Sequence, residues 1–117
     1  MKILVTGGRE FRNRLLLEEV LNKIHKADTI KMLIHGGARG ADLMAANWAK
    51  GLGIHTALCE ANWTVFQYMA GPLRNEAMLI LNPNLVLAFP GGKGTANMVR
   101  LSKKAGIDVV EITDDQV

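Results

Sequence analysis

The chain has 117 residues, of which 49% are hydrophobic and 21% are charged, with a net charge of +3 and a single cysteine, Cys59. This length predicts one domain, residues 1–117, with its own core, and the lone cysteine excludes an intrachain disulfide and a cysteine-rich metal cluster. The basic charge suits an anionic ligand, but the lysines and arginines are scattered rather than clustered, which does not favour a nucleic-acid partner.

The first half of the chain alternates short apolar strands with helices. Residues 2–6 predict the first strand, and a helix follows over residues 14–26, where apolar residues recur at helical spacing. A second strand is predicted over residues 30–35, a small-residue helix over residues 40–50 and a third strand over residues 54–59. This alternation is typical of a parallel sheet with crossover helices.

The second half continues the alternation after an irregular stretch that begins at Glu60. A helix is predicted over residues 73–81; it is apolar nearly all round, so we expect it to be buried on more than one side. A strand over residues 85–89 leads through a glycine-rich turn into a helix that starts at Met98, and the last strand covers residues 108–112. The fold class is therefore α/β, a compact Rossmann-like, doubly wound parallel sheet.

Three Gly-Gly turns follow three of these strands directly, at Gly7-Gly8, Gly36-Gly37 and Gly91-Gly92. One such turn on its own would be read as a tight turn without a ligand. Because the carboxyl ends of parallel strands share one edge of the sheet, all three turns should gather there and bind a phosphate-bearing ligand. In the third turn, Thr95 either caps the following helix or gives its hydroxyl to a phosphate oxygen.

Four basic side chains lie in or next to these turns. Arg74 sits at a helix start, where a cation is disfavoured without an anion nearby, so it is either an anion ligand or an exposed or ion-paired arginine. Arg9 and Arg39 either clamp a phosphate or carboxylate or are ordinary solvated loop arginines. Lys93 is similar, but the P-loop spacing Gly-x4-Gly-Lys-Ser/Thr is absent, which excludes a nucleoside triphosphatase of that type.

Two carboxylates and two aromatic residues are further candidates. Asp42 either holds a ribose hydroxyl or interacts with the dipole of its helix, and Glu60 is the other carboxylate that could face the rim. Trp63 and Tyr68 either stack on a base or anchor their loop. The three histidines are too dispersed for a metal site, and we predict no metal and no cofactor.

The sequence also bears on location and assembly. No apolar run approaches the roughly 20 residues of a membrane span, and no signal peptide precedes the first predicted strand, so we expect a cytoplasmic protein with no membrane partner. Residues 73–81 are apolar on nearly all sides of their predicted helix, and Leu15 and Leu16 lie off the main apolar stripe of the first helix. These two features predict a homo-oligomer, a dimer or higher.

Four motifs carry a family resemblance: Val5-Thr6-Gly7-Gly8-Arg9, His35-Gly36-Gly37-Ala38-Arg39-Gly40-Ala41-Asp42, Ala70-Gly71-Pro72-Leu73-Arg74-Asn75 and Phe89-Pro90-Gly91-Gly92-Lys93-Gly94-Thr95. In this order they resemble the YspA-like branch of the SLOG superfamily over residues 2–112. The resemblance implies a Rossmann-like domain that binds a nucleotide or nucleotide-derived ligand, such as an ADP-ribose or NAD derivative. LOG-type phosphoribohydrolases and the DNA-processing protein DprA are in the same superfamily.

One position departs from the catalytic members of that superfamily. LOG-type enzymes place a catalytic glutamate three residues after the threonine of the third turn, and here that residue is Met98, which cannot transfer a proton. Their catalytic arginine has a match in Arg74. The chemistry is therefore absent, or another carboxylate, Asp42 or Glu60, carries it.

These observations favour a module that senses or sequesters a nucleotide-derived small molecule. The alternative is a hydrolase of the N-glycosidic or phosphate bond of that ligand, with Arg74, Asp42 and Glu60 as catalytic candidates; single-stranded DNA binding is the third hypothesis. The residues that we predict to bind the ligand are Gly7, Gly8, Arg9, Gly36, Gly37, Arg39, Asp42, Arg74, Asn75, Pro90, Gly91, Gly92, Lys93, Gly94 and Thr95.

Overall fold

A computed structural model describes residues 1–60 and 70–113, in which five strands form one sheet. The strands are β1 (Lys2–Thr6), β2 (Met32–His35), β3 (His55–Leu58), β4 (Leu85–Ala88) and β5 (Asp108–Glu111), and the helices are α1 (Arg14–Ala27), α2 (Ala41–Gly51), α3 (Ala70–Ile80) and α4 (Lys93–Lys104). The strand order is β3-β2-β1-β4-β5, and every neighbouring pair is parallel. The predicted α/β, Rossmann-like fold class is confirmed.

The two faces of the sheet carry separate apolar cores, because successive side chains of a strand point to opposite faces. Ile3 and Val5 of β1 lie in one cluster with residues of α1 and α2. Leu4 lies in a second cluster with Met78 of α3 and Met98 of α4. Helices α1 and α2 therefore cover one face of the sheet, and α3 and α4 cover the other.

The chain changes direction across the sheet at β1. From β1 it moves outward through β2 to β3, and β4 then returns to the other side of β1. The carboxyl ends of β1 and β4 therefore flank a topological switch point, the place where open α/β sheets bind ligands. The Gly8 N–H donates a 2.8 Å hydrogen bond to the Pro90 carbonyl, which joins the loops after these two strands.

Helix α4 begins earlier than its sequence suggested. It starts at Lys93 rather than Met98, with Gly92 as its N-cap residue. The Ala96 N–H donates to the Gly92 carbonyl at 3.0 Å, which closes the first turn through the glycine-rich stretch. Thr95 lies inside that turn, so the alternative that Thr95 caps the helix is wrong. Helix α3 likewise starts at Ala70, three residues before the predicted position.

Two expectations about buried helix faces are also corrected. Helix α3 buries one side only: Met78 lies in the core, whereas Ile80 is 77% exposed. Only the side of α3 that faces the sheet and α4 finds a partner within the described residues. Leu16 of α1 is a core residue and not part of an outer face, while its neighbour Leu15 is 77% exposed.

Two further predictions concern membrane contact and aromatic stacking. Within the described ranges, no helix combines the length and apolarity that a membrane crossing requires. Trp63 and Tyr68, the two aromatic candidates for base stacking, lie outside the described residues.

Candidate functional site

A cavity of about 620 Å³ opens at the carboxyl edge of the sheet, beside the switch point between β1 and β4. It receives residues from the loop after β1 and from the amino-terminal ends of α2, α3 and α4. Its lining comprises Thr6, Gly7, Gly8, Arg9, Ala38, Asp42, Gly71, Pro72, Arg74, Asn75, Met78, Gly92, Lys93, Gly94, Thr95 and Asn97.

The first turn of α4 forms one wall of the cavity through Gly92, Lys93, Gly94 and Thr95. The N-cap residue of this helix, Gly92, has no side chain that could cap it. The first N–H groups of a helix have no partner within the helix, and the helix dipole places partial positive charge beside them. Lys93, in the same turn, is exposed and adds a full positive charge. This wall is suited to a phosphate.

The glycines of the first and third loops differ in what they allow. A Cβ on Gly8 would lie 2.9 Å from the Gly91 Cα, and a Cβ on Gly91 would lie 2.6 Å from the Gly8 nitrogen and 2.2 Å from the Thr95 Oγ1. Both glycines are therefore required for the two loops to touch. A Cβ on Gly92 would meet no atom of the described residues within 4 Å, so their packing does not require glycine there.

Arg74 reaches across the cavity from the first turns of α3. Its Nη1 donates to the Gly36 carbonyl at 3.0 Å, and its Nε donates to the Asn75 Oδ1 at 3.0 Å. A Cβ on Gly36 would lie 2.1 Å from that Nη1, so the missing side chain at Gly36 makes room for the guanidinium. The second glycine loop therefore holds the arginine in place.

Asn75 connects α3 to the first turn of α4. Its side chain is 2% exposed, and its Nδ2 donates to the Gly94 carbonyl at 3.2 Å and to the Asn97 Oδ1 at 2.9 Å. Since its Oδ1 also accepts from Arg74, this one amide joins the arginine to the proposed phosphate wall. Removal of the amide would leave buried polar atoms without partners, which is costly.

Asp42 is the buried carboxylate of the cavity. It lies in the first turn of α2 and is 5% exposed, and its Oδ2 accepts a 2.8 Å hydrogen bond from the Gly36 N–H. Burial raises the pKa of Asp42 to about 6, although the backbone N–H groups of Gly36 and Ala38 and the charges of Arg74 and Arg9 oppose the rise. At neutral pH the group is therefore mostly ionised but close to its titration range.

The family model described as the YspA, cpYpsA-related SLOG family matches residues 1–66. The chain belongs to this SLOG family. It is also 35% identical over 121 residues to the Gene 61 protein of Mycobacterium phage D29, an alignment that covers 97% of each chain. No solved structure gives a significant match. The predicted family is confirmed.

Some predicted site residues of this SLOG protein lie away from the cavity. Arg39 is exposed and forms an ion pair with Glu10, which draws its guanidinium to the outer surface. The hydrogen bond and charge of Arg39 lower the pKa of Glu10. Glu60 is exposed after β3 and is not part of the described lining, so Asp42 is the better placed of the two catalytic carboxylate candidates.

Four of the predicted glycine and proline positions lie beside the cavity rather than in its lining. Gly36 lies against the Arg74 guanidinium. Gly37 has a φ of +74°, a backbone conformation that favours glycine. Pro90 and Gly91 line two neighbouring depressions. These residues shape the loops that carry the lining.

Sequence reasoning did not select six lining residues, namely Thr6, Ala38, Gly71, Pro72, Met78 and Asn97. Five of them adjoin predicted site residues in the four motifs or the glycine-rich stretch, so proximity in sequence was the available signal. Met78 was missed because an apolar residue in this helix reads as a core residue, although its position one helical turn after Arg74 places both residues on the same side of α3.

Met98, at the position of the LOG-type glutamate, is fully buried in the core between α4 and the sheet. It is absent from the described lining of the cavity. A glutamate could not be ionised in this apolar cluster without a large desolvation cost. In this SLOG protein the residue at the position of the LOG-type glutamate therefore packs in the core against the sheet.

Proposed function

We propose that residues 1–117 form a single domain that binds a nucleotide or nucleotide-derived ligand of the ADP-ribose or NAD-derivative class and acts as a sensor or sequestering module. Membership of the SLOG family suggests a nucleotide-related binding or processing role. The observation that carries the proposal is one cavity lined by an uncapped helix start, the Arg74 guanidinium and a buried carboxylate. We place this function in the cytoplasm.

In this proposal the ligand phosphate lies against the first turn of α4. The backbone N–H groups of that turn donate to its oxygens, and the charges of Lys93 and Arg74 compensate its negative charge. On the Gly92 side of the cavity, no atom of residues 1–60 or 70–113 lies within 4 Å of where a Cβ would be, which leaves space for the phosphate. The Asn75 amide fixes α3 and α4 relative to each other, so the donors are held in position before the ligand arrives.

A hydrolase of the N-glycosidic or phosphate bond of the same ligand is the second candidate. One observation favours it: the Asp42 carboxyl lines the cavity and has a pKa of about 6, within the range useful for a general base. The buried Met98 opposes a LOG-type reaction. AMP and ADP-ribose are incubated separately with the protein, and chromatography detects adenine from N-glycosidic cleavage and adenosine or AMP from phosphate-bond cleavage. A binding module returns both compounds intact.

Replacement of Arg74 tests the proposed binding site. We expect Arg74→Ala to weaken the binding of ADP-ribose or AMP by about 10-fold or more, because a charge-assisted contact to phosphate is lost. Arg74→Ala also loses the hydrogen bonds to the Gly36 carbonyl and the Asn75 Oδ1, each worth about 1 kcal/mol, so Tm should fall by roughly 5–10 °C and not further. Isothermal titration calorimetry measures the affinity and differential scanning calorimetry measures the Tm.

Arg100→Ala is the matched control, because Arg100 is exposed on α4 and is absent from the cavity lining. It removes the same charge and should leave affinity unchanged. Equal losses of affinity in the two variants would mean that only net charge matters, and a large drop in the Tm of Arg74→Ala would make Arg74 structural.

Native mass spectrometry of the purified protein, followed by denaturation, identifies any nucleotide that it retains.

A further inference from the structure

Asp42 has the wrong charge for a site that only binds phosphate. Among the described lining residues, the charged side chains are Arg9, Arg74, Lys93 and Asp42, and Asp42 alone is acidic. A phosphate placed directly against a carboxylate would be repelled, and the low dielectric of a buried position strengthens that repulsion. The part of the ligand that contacts Asp42 must therefore be uncharged or a hydrogen-bond donor.

The surroundings of Asp42 leave room for such a donor. A carboxylate has about four acceptor positions, and the backbone N–H of Gly36 occupies one of them, on Oδ2. The Asp42 side chain bonds to the loop before α2, and no side-chain hydrogen bond caps α2 at Gly40. A helix-capping role thus does not account for its burial in the cavity wall.

We propose that Asp42 accepts hydrogen bonds from the vicinal hydroxyls of a ribose in the ligand, and that the site thereby selects ribonucleotides over their deoxy counterparts. This inference rests on the proposed function and specifies which part of the nucleotide each wall contacts. The phosphate lies at the first turn of α4 and the ribose hydroxyls lie at the first turn of α2. Two helix starts on the same sheet edge then recognise two chemically different groups of one ligand.

The ionisation of Asp42 fits this role. With a pKa of about 6, it is mostly an acceptor-only carboxylate at neutral pH, which suits hydroxyl donors. The cationic side chains that act on it are Arg74 from α3 and Arg9 from the loop after β1. Their positive charges favour the ionised carboxylate against the effect of burial. A ribose hydroxyl is neutral, so its binding beside Asp42 leaves these charge interactions in place.

The experiment compares AMP with 2′-deoxy-AMP and 2′,3′-dideoxy-AMP in calorimetric titrations of the wild type, Asp42→Asn and Asp108→Asn. Asp108 is the matched control because it is an exposed aspartate at the amino end of β5, away from the cavity edge. We expect the wild type and Asp108→Asn to bind AMP about 10- to 100-fold more tightly than the dideoxy compound, since hydrogen bonds to a charged group are lost. In Asp42→Asn that ratio should fall to within about threefold of unity.

The measured affinities test the ribose assignment separately from nucleotide binding. If wild-type protein binds AMP and dideoxy-AMP equally, or if Asp42→Asn keeps the full ratio, the ribose assignment is wrong and the proposed nucleotide binding stands. If the wild type binds neither these three compounds nor ADP-ribose at millimolar concentration, both proposals are rejected. The wild-type ratio needs no variant, so an Asp42→Asn protein that fails to fold does not block the test.

Discussion

The Asp42 carboxylate is buried, and its pKa of about 6 in the folded protein lies above the ordinary value of 3.8. The folded state therefore holds a proton between about pH 4 and pH 6 that the unfolded state has already released. Under this linkage the contribution of Asp42 to stability is largest below about pH 4 and is lost as the pH rises through 6. The full difference corresponds to about 3 kcal/mol.

Asp42→Asn should therefore stabilise the protein at neutral pH. Its amide oxygen can still accept from the Gly36 N–H, while the cost of a buried charge disappears. We expect the free energy of unfolding to rise by up to about 3 kcal/mol at about pH 7.5 and the gain to vanish near pH 4. Urea unfolding at both pH values measures it. Asp108→Asn, at an exposed position, should show no such pH-dependent gain, and a less stable Asp42→Asn at neutral pH would contradict this account.

Sequence could name candidate residues but not choose among them. Arg9 and Arg39 each lie in a glycine loop, yet only Arg9 lines the cavity, because Glu10 pairs with Arg39 at the surface. Asp42 and Glu60 each follow a strand, and Asp42 alone is turned inward by its bond to the Gly36 N–H. These outcomes depend on contacts between loops that are far apart along the chain, which no local pattern encodes.

At the scale of elements, the turn between β4 and α4 contains one glycine that packing requires, Gly91, and one that we assign to the proposed site, Gly92. Gly91→Ala places a Cβ 2.6 Å from the Gly8 nitrogen, which is backbone and cannot swing away. Gly92→Val adds a side chain at the edge of the cavity, where the part of the chain that the structure describes places no atom within 4 Å of the new Cβ. One substitution should therefore affect folding and the other should affect binding.

We expect Gly91→Ala to lower the free energy of unfolding by about 1–3 kcal/mol, as overpacking does. Gly92→Val should leave Tm within a few degrees of the wild type and weaken AMP binding by about 10-fold or more, because the side chain blocks the phosphate wall. Chemical denaturation and calorimetric titration measure the two effects. Unaltered affinity in Gly92→Val would remove this turn from the site, and the two variants serve as controls for each other.

The start of α4 shows why element boundaries were harder to predict than element types. Strand β4 and a helix after it were predicted from the apolar pattern, but the helix begins at Lys93 and not Met98. Glycines disfavour a helix, so residues 91–94 read as a turn. The Asn75 amide, which donates to the Gly94 carbonyl and to Asn97, holds this first turn in place. That contact between helices is invisible in a local window.

At the scale of the whole molecule, the sheet follows from the alternation of strands and helices along the chain. The order β3-β2-β1-β4-β5 places β2, β1 and β4 side by side, which brings their three glycine-rich loops to one edge. This gathering was predicted from the general rule for parallel sheets. The exposed faces of the helices could not be predicted from the sequence, because they depend on which side of α3 packs against α4 and the sheet.

Helix α3 carries an apolar stripe on its outer side. Leu73, Ala77 and Ile80 recur at i, i+4 and i+7, and all three are exposed. On the opposite face of the sheet, Leu15 of α1 is an exposed leucine between the exposed Arg14 and the buried Leu16. If the chain assembles into a homo-oligomer, the α3 stripe is the surface on which we expect copies to meet, because contiguous apolar area stabilises association.

We predict a dimer or higher homo-oligomer that separates into monomers in Ile80→Glu and stays intact in Leu15→Glu. A glutamate at Ile80 places a charge in the middle of a contact that excludes water, whereas the same change at Leu15 falls outside it. Multi-angle light scattering at micromolar concentration measures the mass of each species. A monomeric wild type would reject the assembly, and dissociation of Leu15→Glu with Ile80→Glu intact would move the interface to α1. Because the stripe begins at Leu73, next to Arg74 in the cavity wall, AMP affinity measured on the monomeric variant also shows whether the site is complete in one copy.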